Sequence, residues 1–125
     1  MNKVIHTDKA PAAVGPYSQA ILAGNTLYVS GQIPLNPATG TIDATDIAGQ
    51  ARQSLTNLKN ILEEAGFTLD DVVKTTCLLA DINDFAGFNA VYGEFFVNTK
   101  PARACFAVKD IPKGALCEVE LVAVK

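Results

Sequence analysis

The chain has 125 residues, of which 49% are hydrophobic and 18% are charged, and its formal net charge is −3 at pH 7. This composition excludes an intrinsically disordered chain, which would be poorer in apolar residues and richer in charge. It also argues against a nucleic-acid-binding protein, because no cluster of lysine or arginine is present to contact phosphates. We therefore expect one domain that spans residues 1–125.

Cysteine usage and the absence of targeting segments favour a cytoplasmic protein. Residues 1–6 lack the apolar stretch of a secretory signal, and no apolar run approaches the length of a membrane span. The cysteines, Cys77, Cys105 and Cys117, are odd in number and scattered, so we expect no disulfide framework. The single histidine, His6, lies near the N-terminus, which argues against a Ser-His-Asp triad and a histidine-rich metal site.

The first predicted element is a β-hairpin. Two short apolar runs, residues 21–23 and 26–30, flank Gly24-Asn25, a dipeptide typical of a tight turn. Gly31 is predicted to end the second strand. Alternation assigns the side chains of this strand to two faces, Leu27 and Val29 on one and Tyr28 and Ser30 on the other.

Helices and strands alternate through the middle of the chain. Apolar residues recur at helical spacing over residues 46–65, and Asp43 or Thr45 is the predicted N-cap of this helix. Residues 72–80 are rich in β-branched side chains and predict a buried strand. The apolar face of a second predicted helix comprises Phe85, Phe88, Val91, Tyr92, Phe95 and Phe96.

Two extended runs, residues 101–108 and 116–124, close the chain. In the second run Glu118 and Glu120 fall on one face of the strand. The order of elements predicts an α+β fold with a single mixed β-sheet of five or six strands and two helices on one face. The other face of the sheet carries Tyr28 and remains uncovered, which predicts self-association.

Arg103 is the residue that most directly suggests a function. It is one of only two arginines, and it lies in the segment 101–105 (PARAC) at the start of an apolar run. Arginine is costly to bury without an anion, and its planar fork suits bidentate capture of a carboxylate. Glu118, on the next predicted strand, is a candidate proton carrier beside a bound anion. A lone arginine on a strand is more often a member of a structural ion pair, so that alternative stays open.

Six short motifs occur in order along almost the whole chain. They are residues 15–20 (GPYSQA), 29–34 (VSGQIP), 50–55 (QARQSL), 73–76 (VKTT), 89–92 (NAVY) and 101–105 (PARAC). Together they resemble the RidA (YjgF) family of reactive-intermediate deaminases. The resemblance implies a chorismate-mutase-like fold and a homotrimer with a barrel-like core and sites in clefts between subunits.

The activity implied by the resemblance is hydrolysis of 2-imino acids to 2-keto acids and ammonia, with no metal or organic cofactor. The implied substrates are small, such as 2-iminobutanoate and the 2-iminopropanoate that forms from 2-aminoacrylate. Small 2-imino and 2-keto acids and further copies of the chain are thus the expected partners, and no nucleic acid or membrane is expected.

The resemblance also assigns roles to individual residues. Arg103 matches the arginine that binds the substrate carboxylate, and Glu118 matches the acid associated with the reacting water. Cys105 matches a residue whose backbone lies against the substrate. The implied lining of the cleft comprises Tyr17, Ser30, Gly31 and Asn89. The chain departs from the family's more frequent residues at Ala104 and Val119, but neither change removes a functional group.

Structural interpretations of these residues remain open on the sequence alone. Glu118 and Glu120 fit solvent-facing positions or pairs with lysine, and Cys105 fits a small packed hydrophobic residue. The remaining alternatives are a stacking contact between subunits for Tyr17, a satisfied strand end for Ser30, and a backbone or inter-subunit partner for Asn89.

Two other classes of function are also open. The same arginine would serve a protein that binds small carboxylates, such as 2-keto acids, without turnover. A chaperone-like or RNA-directed role is the other class, since some members of the resembled family are described as ribonucleases or chaperone-like proteins. The acidic balance and the single peripheral histidine argue against RNA cleavage.

Overall fold

The computed structural model describes residues 1–125, and it consists of one six-stranded sheet and two α-helices. The strands are β1 (Lys3–Ile5), β2 (Ala20–Ala23), β3 (Thr26–Gln32), β4 (Val72–Leu79), β5 (Ala102–Ala107) and β6 (Cys117–Val124). The helices are α1 (Ile47–Glu64) and α2 (Phe85–Phe95). The predicted mixed sheet with two helices is confirmed. No helix is both long enough and apolar enough to cross a membrane.

The sheet has the strand order β1-β2-β3-β6-β4-β5. Only β4 and β5 pair in parallel, and every other neighbouring pair is antiparallel. Parallel strands need a crossover connection, which α2 provides. As a result β5, which carries Arg103, lies at one edge of the sheet with α2 packed beside it.

The two helices cover one face of the sheet, and the hydrophobic core lies between the helices and that face. Alternate residues of β4 and β6 are buried on this side, among them Thr75, Cys77, Val119 and Leu121. The predicted alternation in β3 and β6 is confirmed, because Leu27, Val29, Val119 and Leu121 are buried while Tyr28 and Glu120 are exposed. We call the two sides the helix face and the open face.

The start of α1 differs from the sequence prediction. Asp46 is the N-cap, and its Oδ1 accepts a hydrogen bond from the Gly49 backbone N–H at 3.0 Å. Asp43 instead accepts hydrogen bonds from the Thr41 hydroxyl at 2.6 Å and from the Asn36 amide at 2.8 Å. The predicted caps Asp43 and Thr45 were therefore wrong, because Asp43 stabilises the preceding loop.

The end of β3 also differs from the prediction. The strand continues through Gly31 to Gln32, and its register against β6 shifts between Val29 and Gln32. Such a bulge bends a strand and re-aims its side chains. Gly31 therefore lies inside an irregular strand end and does not terminate the strand.

Candidate functional site

Arg103 leaves β5 on the helix face, where it meets α2. Its register partner on β4 is the buried Thr75. The guanidinium carbon lies 4.6 Å from the centre of the Tyr92 ring and 5.6 Å from that of Phe85. Arg103 Nη1 donates a hydrogen bond to Asn89 Oδ1 at 2.7 Å. Because aromatic faces attract cations, these contacts hold the guanidinium in one place while leaving its charge unneutralised.

The aromatic support beneath Arg103 is itself fixed. Tyr92 is only 8% exposed, and its hydroxyl lies 2.8 Å from the Thr75 Oγ1. Burial raises the pKa of the Tyr92 phenol, so the ring stays neutral at physiological pH. The hydrogen bond between α2 and β4 therefore fixes the surface on which the arginine stacks.

Arg103 has no carboxylate partner in the chain. The ion pairs that the structure contains are His6–Asp8 at 3.1 Å and Arg52–Glu94 at 2.7 Å. The structural ion-pair interpretation of Arg103 is therefore wrong for this chain. A half-buried guanidinium with no internal anion is suited to bind an external one.

A cavity of about 570 Å³ opens beside this guanidinium. It is lined by Asn89, Tyr92, Gly93, Phe96, Val97, Lys100, Pro101 and Arg103. We call it the arginine cavity. Its walls combine apolar surface with two cations and no acid, which suits a small organic anion.

A second cavity, of about 650 Å³, contains most of the other predicted site residues. We call it the glutamate cavity. It is lined by Pro11, Ala12, Val14, Tyr17, Ser30, Gly31, Gln32, Ile33, Leu35, Pro112, Lys113, Glu118 and Glu120. Tyr17, Ser30, Gly31 and Glu118 therefore share one concave surface, although they come from distant parts of the sequence.

Glu118 lies against the backbone of Gly31. A β-carbon at residue 31 would collide with the Glu118 carboxylate, so glycine makes room for this acid. Burial, and secondarily the charge of Glu120, raise the pKa of Glu118. The carboxylate has no ion pair or hydrogen bond within the chain. It is therefore free to accept a proton from a bound water.

Ser30 has a structural hydrogen bond at the edge of this cavity. Its hydroxyl donates to the Ser18 carbonyl at 2.6 Å, and its backbone N–H donates to the Gln19 carbonyl at 2.9 Å. Gln19 is 2% exposed, and its amide bonds to the backbone of Thr7 and Pro11. These bonds hold the segment before β2 that forms one wall of the cavity.

Tyr17 belongs to the same wall and is 52% exposed. Sequence reasoning included Gln19 in the motif of residues 15–20 but assigned it no role. Its supporting role could not be read from that motif, because the backbone groups it bonds lie up to twelve residues upstream.

Cys105 lines neither cavity, and its thiol is not ionised at neutral pH. Burial raises the pKa of the Cys105 thiol, and it raises those of Cys77 and Cys117 to about 12 and about 11. None of the three is a thiolate nucleophile at neutral pH. The Val108 N–H donates to the Leu79 carbonyl, so alternation along β5 directs the backbone groups of Cys105 away from β4, toward the free edge of the sheet.

The two cavities lie on opposite faces of the sheet. Arg103 pairs with Thr75 on the helix face, whereas Glu118 pairs with Leu78 on the open face. Strand β4 lies between β5 and β6, so the backbones that carry Arg103 and Glu118 are about 10 Å apart in the plane of the sheet. The structure therefore joins Arg103 with Asn89, and Glu118 with Tyr17, Ser30 and Gly31, but it does not join the two groups within one chain.

No group of three or more His, Cys, Asp and Glu side chains is arranged to hold a metal ion. His6 lines neither the arginine cavity nor the glutamate cavity.

Comparison with known proteins gives matches over the whole chain. A sequence model of the family described as endoribonuclease L-PSP matches residues 7–125. A RutC family protein of Pyrococcus horikoshii is 53% identical over 125 residues, which cover 100% of this chain and 99% of that protein. The Escherichia coli protein named 2-iminobutanoate/2-iminopropanoate deaminase is 51% identical over 128 residues, covering 100% of this chain and 99% of that one.

Solved structures show the same fold. The crystal structure described as a putative endoribonuclease L-PSP from Entamoeba histolytica superimposes with a TM-score of 0.97 at 54% identity, covering 100% of both chains. The crystal structure of Escherichia coli TdcF with bound serine superimposes with a TM-score of 0.95 at 44% identity, covering 98% of both chains.

Proposed function

This chain belongs to the endoribonuclease L-PSP family, also called the RidA (YjgF) family, and from that premise we propose that it is a 2-imino acid deaminase. It hydrolyses small 2-imino acids such as 2-iminopropanoate and 2-iminobutanoate to 2-keto acids and ammonia. Relatives from Escherichia coli and Bos taurus that are 51% and 49% identical are named for this activity. The observation that supports it most is the guanidinium of Arg103, which faces a cavity and has no anionic partner.

The arginine cavity supplies the binding energy for the substrate. The carboxylate binds the free edge of the Arg103 guanidinium, while Asn89 and Tyr92 hold the group from its other sides. Two parallel charge-assisted hydrogen bonds fix the plane of the carboxylate and therefore the position of C2 next to it. The outward-facing backbone of Cys105 lies two residues along the same strand and adds a further hydrogen-bonding group.

Hydrolysis then needs one positioned water and one group that moves a proton. Glu118 orients the water and takes a proton from it as the water oxygen forms a bond to C2 of the iminium. The carbinolamine that results receives this proton on nitrogen. Glu118 then takes the hydroxyl proton as the C–N bond breaks, the 2-keto acid is released, and the departing ammonia takes that proton and leaves as ammonium. Proximity and general acid–base catalysis account for large accelerations of such steps.

A complete site requires more than one copy of the chain. Arg103 and Glu118 lie on opposite faces of the sheet, so the arginine cavity of one subunit meets the glutamate cavity of another. The arrangement we propose is a homotrimer whose open faces form a barrel-like core. The uncovered open face, where Tyr28 is 53% exposed, supports this assembly. The three free cysteines favour a cytoplasmic location.

Mixing two inactive variants tests the activity and the shared site together. Arg103→Ala and Glu118→Gln are purified separately, mixed in equal amounts, dissociated and reassembled, and the acceleration of 2-iminopropanoate loss is measured. If each site takes its arginine from one subunit and its glutamate from a neighbour, random assembly restores both groups in about one quarter of the sites.

Each variant reassembled alone serves as the control and should stay inactive. Absence of recovery in the mixture, together with full activity of the reassembled wild type, would show that the site lies within one chain. A wild-type protein that binds 2-ketobutyrate but does not accelerate imine loss would instead be a small-carboxylate binder.

A further inference from the structure

The arginine cavity contains a second cation that the proposed reaction does not use. Lys100, an exposed residue, lies three residues before Arg103, and both residues line the same cavity of about 570 Å³. Monocarboxylic substrates such as 2-iminopropanoate carry a single carboxylate, which Arg103 alone can bind. Lys100 therefore needs a separate explanation.

No acid of this chain neutralises Lys100 or Arg103. Neither residue takes part in an ion pair, and no aspartate or glutamate is among the residues that line the cavity. Glu94, which belongs to the adjoining helix α2, is engaged by Arg52 at 2.7 Å. Within one chain the cavity thus has two positive charges and no negative charge among its lining residues.

The spacing of the two cations suits one ligand with two anionic groups. Lys100 and Arg103 are separated only by Pro101 and Ala102, so their Cα atoms lie no more than about 11 Å apart. The ring of Pro101 restricts the backbone between them. Both residues line one cavity of about 570 Å³, a volume that a three-carbon imino acid fills only in part.

We propose that Lys100 is a second anion-binding residue, and that the enzyme prefers 2-imino acids with a carboxylate on a side chain of one or two methylene groups. This inference rests on the proposed function, since it takes Arg103 as the binding group for the C1 carboxylate. Arg103 fixes the end of the molecule that reacts, and Lys100 binds the distal carboxylate. The distal contact lies away from C2, so it determines which substrate is favoured and leaves the chemical step unchanged.

The test compares two imines made in place by amino-acid oxidases. One is formed from aspartate and has a second carboxylate, and the other is formed from alanine and has none. The acceleration of imine loss by the wild type, Lys100→Met and Lys100→Arg is measured by trapping the remaining imine with semicarbazide. Lys59→Met is the matched control, because Lys59 is an exposed lysine on α1 that does not line the arginine cavity.

In wild type and Lys59→Met we expect the higher kcat/KM for the aspartate-derived imine. Lys100→Met should lower the ratio of the two kcat/KM values about tenfold, as expected for loss of one charge-assisted contact. Lys100→Arg should keep most of the wild-type ratio of the two kcat/KM values, and added salt should reduce this ratio in the wild type.

An unchanged ratio in Lys100→Met would overturn the inference, and so would a changed oligomeric state in that variant, since Lys100 would then belong to a subunit contact. If the proposed function itself is wrong, the protein will not accelerate the loss of either imine. In that case the Kd values of 2-ketoglutarate and 2-ketobutyrate still test Lys100. The inference requires Lys100→Met to weaken only the binding of the dicarboxylate.

Discussion

The arginine cavity and the glutamate cavity differ in sign of charge, in construction and in the face of the sheet that they occupy. The first is built from α2, the segment that connects α2 to β5, and Arg103 of β5, and its charged groups are Arg103 and Lys100. The second is built from loops around a strand bulge, and it contains the acids Glu118 and Glu120 together with Lys113. Lys113 has a backbone φ of 61°, a left-handed conformation that is uncommon for lysine.

This difference shows how a small chain keeps a carboxylate and a guanidinium apart. An ion pair between Arg103 and Glu118 would leave neither group free for a substrate. The sheet between them prevents that pairing within a subunit. Each group therefore has no ion-pair partner within the chain, and in the shared site that we propose the substrate lies between them.

The largest expected effect comes from removing the cation of the arginine cavity. Arg103→Ala should lower kcat/KM for 2-iminopropanoate by about 100- to 1000-fold, because a two-pronged charge-assisted contact to the carboxylate is lost. The measurement is the rate of 2-keto acid formation from an imine generated in place. Arg52→Ala is the matched control, since Arg52 is the other arginine and its exposed ion pair with Glu94 contributes little. Equal losses in both variants would contradict the carboxylate-binding role.

Removing the acid of the glutamate cavity should affect a different kinetic constant. Glu118→Gln should lower kcat about 100-fold, because the proton carrier is lost while the shape of the cavity is kept. The Kd of 2-ketobutyrate, measured by calorimetry, should change less than about threefold, since Arg103 still binds the carboxylate. A large loss of binding with an unchanged kcat would reverse the roles that we assign to the two cavities.

A smaller effect is expected from filling the space that Gly31 leaves for Glu118. Gly31→Ala would push the Glu118 carboxylate aside and should lower kcat about tenfold, since small displacements of catalytic groups are costly. The melting temperature should change little, because the side chain that must move is flexible and Gly31 does not adopt a positive φ. Wild-type kcat in this variant would show that the position of the carboxylate does not matter.

The smallest effect is a shift in pH dependence. The mechanism that we propose uses the ionised form of Glu118, so kcat should fall as the pH drops through the pKa of this residue, which is raised above the ordinary value of 4.5. Glu120→Gln removes a like charge, which lowers the pKa of Glu118 and moves the acidic limb of the profile to lower pH. Glu94→Gln, a change outside both cavities, should leave that limb in place. A shift to higher pH in Glu120→Gln would contradict this electrostatic coupling.

Local sequence patterns predicted the elements that have strong periodicity. Helix α1 has apolar residues at regular three- and four-residue steps, and β6 alternates buried and exposed side chains over its whole length. In contrast, β1 has only three residues, which is too short for a pattern to appear, and it was not predicted. The N-cap of α1 was missed because Asp43, Thr45 and Asp46 are all capable caps, and only the loop contacts of Asp43 distinguish them.

The division of the site into two cavities could not be predicted from the sequence. The motif of residues 101–105 identified Arg103, and alternation correctly placed Glu118 beside Glu120. Which face each residue occupies depends on the register of β4 with β5 and β6, and no local pattern encodes that register. The stacking of Arg103 on Tyr92 was missed for a related reason. Tyr92 was assigned to the apolar face of α2, and only the packing of α2 on β4 shows that this ring also supports a cation.

The position of β5 at the edge of the sheet has a consequence for heat tolerance. β5 is hydrogen-bonded to a single neighbouring strand, whereas β4 and β6 are held on both sides. Peripheral elements open at lower free-energy cost than the centre of a fold. Fraying of this one strand would release the guanidinium while the hydrophobic core stays intact, so thermal inactivation of the protein would precede its global melting.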